Sequence, residues 1–577
     1  MFFKRKNKQR KHTLPEFSFC EPSIEGLRSW VNVLPRTNIR AMANQLIVAG
    51  KELTASNCQL SQLIAVLEIL GEPIMTITSG LLRQQINSEQ EVDIYRKRQE
   101  FFTLFGHIYC VAGQAQLNSK SSQHIDELLI KASDFLCNAT IASYQLYESP
   151  PPGCWQLLHK IYQYSLTNSC TEANAVKFSA SYKTIAALCC ASPEKLSASQ
   201  IEVLVEYMRT AIVGVRISES ADKQTNFCVT YNEDQQPHRF IKEDNENNNE
   251  EDDSNVIYFD FNKIQKTLTS SCLSSELAKH LNSSYGPPQV RAHTRTLATG
   301  ALETCSNLSA IHYFLCGERT LESFTHRFST EYTLGENTDS QKKTQKRDDV
   351  WNGIYASNWQ KTEFNGNSIE FKIQNNRGHK NASADQFPVQ RISIADLNPR
   401  GYKLVGNNVA LRVYKPGNLI GLKHTDEQQW HVGVIRWSRS IKHEKQIGVE
   451  LLTKKIQPFG IRVVHSKHGS DFMPALMLPA YIEDPQINNS SNDFSAYSPD
   501  ANGRQEIGKD TDKNIENSAS LLLPQLNLTG KTAAIMIDEK SKKSIVLGDC
   551  IETNGGYCRY LYTDKNVSQG NKAARKA

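Results

Sequence analysis

The 577-residue chain lacks most of the features that announce a function directly. No run approaches 18 uninterrupted apolar residues. The best candidate, Leu63 to Leu82, is broken by Glu68, Glu72 and Pro73, which argues against a membrane span. The start, MFFKRKNKQRKHT, is basic but has no apolar core behind it, so it does not read as a secretory signal. The 14 cysteines form no CxxC pair, and no histidine pairing completes a zinc spacing. There is no Gly-rich phosphate loop and no nucleophile motif, so nothing supports an enzyme. A net charge of +5 is too small for the dense basic face of a nucleic-acid binder. No metal, cofactor or nucleic acid is therefore expected.

What is there is a polar chain with room for two or three domains. Apolar residues make up 39% of it, and mean hydropathy is −0.49. Cys58, Cys137, Cys189 and Cys190 sit among apolar neighbours and read as small hydrophobes in a reducing cytoplasm. Residues 1–13 read as a solvated, disordered start. From 14 to 215 the pattern is helical. Asn38 is placed to cap a helix burying Met42, Leu46 and Ala49, which closes near Gly50. Ser56 and Gln59 form a capping-box pair ahead of Leu60, Leu63, Ile64, Leu67 and Leu70, and Gly71 with Pro73 is expected to end that run. Helices are also expected over Arg96–Leu117, Ile125–Tyr147 and Trp155–Tyr164. This half holds no catalytic constellation, and its expected role is contact with a protein partner or another domain.

Residues 216–285 change character. NFCVTY, HRFIKE and NVIYFDFNKI alternate as short strands, the acidic IKEDNENNNEEDDSN reads as a solvated loop, and Leu277 and Leu281 mark a short helix. Farther on, Arg391 to Val464 alternates at period two with Gly and Pro at turn-sized intervals, the pattern of a small antiparallel barrel. In WHVGVIRWSR and QIGVELL, Val432, Val434, Val449 and Leu451 are expected to face the barrel core, with Gly433 and Gly448 relieving crowding. Tyr402–Leu404 and Val409–Val413 also alternate as strands. Arg436 and Arg439 read as solvent-facing strand charges or as ligand contacts.

Two further motifs bear on chemistry. In QVRAHTRTLATGALETC, Arg291 and Arg295 form an RxxxR pair ahead of a strand-like segment. Guanidinium forks on one short segment can grip both phosphates and the O6/N7 edge of guanine. About a hundred residues later comes Asp396-Leu397-Asn398-Pro399-Arg400-Gly401. The two motifs, with WHVGVIRWSR and GVELL, resemble the PilZ domain, a bacterial receptor module for cyclic di-GMP. In that family the second motif is Asp or Asn, any residue, Ser, two residues, Gly, so Asn398 stands where the family has serine. The resemblance covers roughly 286–465. It implies a multidomain α+β chain, with an all-α N-terminal region before a six-stranded antiparallel barrel with accessory strands. The implied ligand is cyclic di-GMP, contacted by Arg291, Arg295, Asp396, Asn398 and Gly401, with residues 14–215 meeting an unknown protein partner. The alternative is a PilZ-like interaction scaffold that no longer binds nucleotide.

The barrel region is expected over 286–484, with a polar insertion at about 318–385 between the first two strands. Trp351 and Trp359 hint at local packing there, and the insertion reads as a lid, a partner-binding arm or solvated chain. Residues 485–518 and 566–577 read as disordered. The strands of 519–565 form either an accessory hairpin or a second small barrel.

Overall fold

A computed structural model describes residues 14–564 apart from 57, 84–90, 119–123, 169, 222–224, 241–254, 269–270, 288–293, 330–386, 408–410, 412, 442–443, 454, 465–470, 480–518, 527, 529–530 and 555. The basic start, most of the acidic loop, Trp351 and Trp359, the 485–518 tract and the tail thus lie outside the described residues. The chain divides into two compact units, 1–289 and 290–577.

The first unit is built on α1 (Ile24–Asn32), α2 (Ile39–Ala55), α3 (Leu60–Arg83), α4 (Glu91–Asn118), α5 (Ile125–Gln145), α6 (Cys154–Thr167), α7 (Glu172–Cys190) and α8 (Ala198–Ala211). Asn38 caps α2 by accepting from the Ala41 amide, and Met42, Leu46 and Ala49 are buried as the periodicity requires. The capping box lies elsewhere: Ser197 and Gln200 exchange bonds at the start of α8, whereas Ser56 closes α2, its hydroxyl donating to the Leu53 carbonyl. Helix α3 does not stop at Gly71 or Pro73 but runs on to Arg83. Burial explains the overrun, because Pro73, Ile74, Ile77 and Leu81 continue the apolar face into the core and outweigh one lost backbone bond. By length and composition α3 could cross a membrane, but here Leu63, Val66, Leu67, Leu70, Ile74 and Ile77 belong to the core. A Cβ at Gly71 would meet nothing within 4 Å. Gly71→Ala is therefore expected to raise the unfolding free energy by about 0.5–1 kcal/mol, read from the denaturant midpoint at unchanged slope.

The same unit carries a four-stranded sheet, β1 (Arg216–Ser218), β2 (Phe227–Thr230), β3 (His238–Arg239) and β4 (Val256–Asp260), in the order β1-β4-β2-β3. Helices α9 (Asn262–Thr267) and α10 (Ser275–Tyr285) follow. The NVIYFDFNKI strand ends early because Asp260 Oδ1 accepts from the Asn262 amide at 2.8 Å and turns the chain into α9. Phe227, Val229, Phe259 and Tyr285 join the helical core.

The second unit begins with β5 (Thr296–Leu297) and β6 (Ala301–Ser306), followed by α11 (Leu308–Leu315) and α12 (Leu321–Ser329). Neither helix is anticipated from the alternating pattern, although Asn307, which accepts from the Ala310 amide at 2.9 Å, is an N-cap signal before an apolar run. Then come β7 (Gln390–Asn398), β8 (Gly401–Asn407), β9 (Leu419–His424), β10 (His431–Ile441) and β11 (Glu444–Thr453). The order β7-β6-β9-β10-β11-β8, with β8 also paired to β7, closes a six-stranded antiparallel barrel. Leu411 and Val413 lie in a turn rather than a strand. Strands β12 (Gln457–Val463), β13 (Met473–Leu478), β14 (Ser520–Leu523), β15 (Thr532–Ile537), β16 (Lys542–Asn554) and β17 (Tyr557–Asp564) close a second barrel. The stretch ending at Val464 is thus shared: β12 pairs with β13 and β15, not with the first barrel.

The valines of β10 also need correction. Ile392, Ile394, Leu404, Ile420, Leu422, Ile435, Ile447 and Val449 fill the first barrel, with Leu451 packed against them. Val432 and Val434 instead belong to a seam with Ile311, Leu476 and Leu522, between the barrel's outer face, α11 and the second barrel. A strand covered on both faces buries both residue sets, so alternation alone could not say which set faces inwards. Gly421 permits this seam, since a Cβ there would lie 2.5 Å from Cys305 Sγ.

His312 of α11 is 1% exposed in that region. Its Nε2 lies 3.1 Å from the Phe459 carbonyl of β12; a carbonyl only accepts, so Nε2 carries a hydrogen. Burial pushes the His312 pKa down to about 4 from an ordinary 6.5. Between these values the unfolded chain binds the extra proton, so stability is intact above 6.5, falls as the pH drops and levels off near 4. The expected slope from this group is at most about 1.4 kcal/mol per pH unit. Thermal unfolding from pH 7 to 4.5 checks it, with His312→Gln expected to flatten the dependence.

Candidate functional site

Strand β7 joins the two motifs. On one side it pairs with β5 and β6, which act as one strand interrupted at 298–300: Thr296 faces Leu397, Leu297 faces Asp396, and after the interruption Ala301 faces Ser393. Gly300, at φ +135°, provides the offset, and its carbonyl accepts from the Ile394 amide at 3.0 Å. That φ is strained for any residue with a side chain. On the other side β7 pairs with β8, with Ile394 opposite Leu404 and Asp396 opposite Lys403.

The register shift between Ile394 and Asp396 is a β-bulge at Ala395. Strict alternation would send Ile392, Ile394 and Asp396 to one face. Ile392 and Ile394 do point into the barrel. The extra residue reverses the phase, so Asp396 shares the outer face with Lys403. There Arg295 meets it: Nη1 lies 3.0 Å from Oδ1 and 3.3 Å from Oδ2. The two side chains are 101 positions apart in sequence, and the arginine is 34% and the aspartate 15% exposed.

Asn398 and Gly401 close the β7–β8 hairpin around Pro399 and Arg400. Asn398 Oδ1 accepts from the Arg400 amide at 2.9 Å, a local turn bond that a serine hydroxyl could also make. The exchange of Ser for Asn thus preserves the turn and leaves the Asn398 side-chain amide beyond it. A Cβ at Gly401 would lie 1.9 Å from the Val449 carbonyl of β11, so this glycine permits a close approach between strands. Arg291 lies outside the described residues. Of the five predicted site residues, Arg295 and Asp396 are in direct contact, and Asn398 and Gly401 stand at the adjoining turn.

Neither arginine of β10 points to an empty face. Arg436 Nε donates to Glu450 Oε2 at 2.5 Å. Arg439 lies over the Trp437 ring at 5.2 Å and donates to Gln446 at 3.2 Å. Among the described residues, no three His, Cys, Asp or Glu side chains gather as a metal site.

A family model described as the cyclic-di-GMP receptor FimW, middle PilZ domain, matches residues 220–458. A second, the N-terminal domain of the same receptor, matches 25–222. The chain is 22% identical over 519 residues to the cyclic-di-GMP receptor FimW of Pseudomonas aeruginosa, covering 81% of this chain and 83% of the relative. No solved structure gives a significant match.

Proposed function

Because the chain belongs to the FimW family of PilZ-domain proteins, we propose that it is a non-catalytic cytoplasmic receptor for cyclic di-GMP. The observation that carries this reading is the Arg295–Asp396 contact, which brings the arginine segment and the Asp-x-Asn-x-x-Gly turn to one outer face of the barrel. The Asp396 carboxylate can accept from the N–H groups of a guanine edge. The Arg295 fork can reach a phosphate or the O6/N7 edge, and Arg291 lies on the same segment. Asn398 offers its side-chain amide, the half of the group that the turn does not use. Gly401 serves by setting the hairpin against β11.

Residues 14–215 are the proposed contact for a protein partner. Ligand binding changes that contact only so far as it favours one arrangement of the chain over another. Calorimetric titration of the full chain with cyclic di-GMP tests the reading. Saturable heat at one site class is expected. A folded chain that gives no heat would leave the barrel as an interaction scaffold without nucleotide.

A further inference from the structure

We propose that Cys550 and Cys558, on the β16–β17 hairpin of the second barrel, are a peroxide-sensitive thiol pair, in which Cys550 meets the oxidant and Cys558 resolves it as a reversible disulfide. The pair stands apart from the Arg295–Asp396 contact and works whether or not the chain binds nucleotide.

The pairing of the hairpin creates the arrangement. Cys550 faces Tyr560 and Thr553 faces Cys558, so an unbroken ladder would hold the two thiols apart. Register shifts fall on both sides of Cys550 and crowd extra residues into this arm of β16. One hydroxyl then meets both sulfurs. Thr553 Oγ1 lies 3.3 Å from Cys550 Sγ and accepts from Cys558 Sγ at 3.9 Å. Cys550 Sγ in turn donates to the Glu552 carbonyl at 3.3 Å. The sulfurs must still close to about 2 Å for a bond, and the bulged arm, where the ladder is already interrupted, is the place to take up that movement.

Exposure separates the two roles. Of the 14 cysteines, Cys272 and Cys550 are the exposed ones among the described residues, whereas Cys558 is 4% exposed. Burial raises the Cys558 pKa, and the nearby Cys550 thiol adds to the rise, so Cys558 stays protonated and inert until a reactive sulfur forms beside it. A solvent-accessible thiol next to a resolving one is the arrangement of a redox sensor, and transient disulfides of this kind are the ones a reducing compartment permits.

The chemistry balances with one hydroperoxide. Cys550, its proton released to solvent, attacks a peroxide oxygen; the O–O bond breaks, an S–O bond forms, and the departing hydroxide takes up a proton as water. The product is a sulfenic acid. The Cys558 sulfur then attacks the Cys550 sulfur, the S–O bond breaks, and the hydroxyl leaves with the Cys558 proton as a second water. Two thiols lose two electrons and two hydrogens, and one hydrogen peroxide becomes two waters. The new bond encloses Glu552, Asn554 and Tyr557, which hydrogen-bond one another. Asn554 also abuts the first barrel, its Oδ1 lying 3.0 Å from where a Cβ on Gly417 would stand.

The test is mass spectrometry of the full chain after hydrogen peroxide, an iodoacetamide quench and trypsin. Cleavage after Lys543 and Arg559 releases both cysteines in one peptide, Ser544–Arg559. That peptide is expected to be two hydrogens lighter than the dithiol and unalkylated, and to take two alkyl groups after reduction with dithiothreitol. The bond is expected to form faster in the folded chain than in urea; equal rates would reduce the pair to mere closeness in sequence and overturn the proposal. In Cys558→Ser, Cys550 is expected to be trapped by dimedone as the sulfenic acid and then to over-oxidise. In Cys550→Ser, Cys558 is expected to stay reduced. No bond within the peptide at a peroxide dose that oxidises Cys272 would also overturn the proposal, as would oxidation of Cys558 in Cys550→Ser. Should Cys558→Ser fail to fold by circular dichroism, the wild type and Cys550→Ser, altered at an exposed position, decide the matter.

Discussion

Titrated with cyclic di-GMP, the Arg295→Ala chain is expected to lose at least tenfold in affinity, and up to all detectable heat, while unfolding at nearly the wild-type temperature. The two halves of this expectation come from different physics. A guanidinium held at the rim of a barrel forms charge-assisted bonds to an anionic ligand, and each is worth about 1.5–3 kcal/mol. The same guanidinium contributes little to the fold. Its pair with Asp396 is 34% exposed on the arginine side, and ion pairs of that kind contribute about 0–1 kcal/mol. Asp396→Asn should likewise weaken binding, because an amide replaces one acceptor by a donor. A variant that binds normally would remove the residue on which the proposed site is centred. One that binds weakly only because it melts early would show the pair to be structural.

Gly401→Ala should behave in the opposite way, with a large loss of stability that precedes any question of ligand. A methyl group at this position has nowhere to go, since the ideal Cβ lies 1.9 Å from the Val449 carbonyl oxygen and 2.9 Å from its carbon. The obstacle is backbone inside a ladder, where Gly401 pairs with Glu450 and the Arg400 carbonyl accepts from the Leu451 amide at 2.8 Å. Relief requires β8 to part from β11, which breaks the closure of the barrel. Overpacking that cannot be absorbed by side-chain motion should cost about 3 kcal/mol or more. Chemical denaturation followed by circular dichroism measures it. A wild-type midpoint for Gly401→Ala would show that the strand can shift at little cost.

Much of the helical unit was legible because its signals are local. Asn38 caps α2 and Met42, Leu46 and Ala49 are buried, as one turn of sequence on each side implies. The misreadings came where a local signal met a tertiary force. Gly71 and Pro73 are stop signals in isolation, yet burial of Ile74, Ile77 and Leu81 carries α3 through them. Ser56 and Gln59 have the spacing of a capping box, but the preceding helix had already claimed Ser56 as its closing residue.

In the barrel region, the residue types and the order of the motifs were determined by the sequence alone: an arginine segment, a strand, and an Asp-x-Asn-x-x-Gly turn. Strand alternation also marked β10 and β11 correctly as strands. Only the tertiary structure decided which face each residue takes. Period two puts Ile392, Ile394 and Asp396 on one side, and Ile435 with Trp437 on one side. A single extra residue in each strand reverses that, and a bulge leaves no compositional trace because it is a property of the pairing between two strands. The same holds for the contact between Arg295 and Asp396. Nothing local relates positions 101 apart; β5 and β7 become neighbours only because the interrupted β5–β6 strand pairs with β7 across the long intervening chain, and that pairing is a property of the sheet.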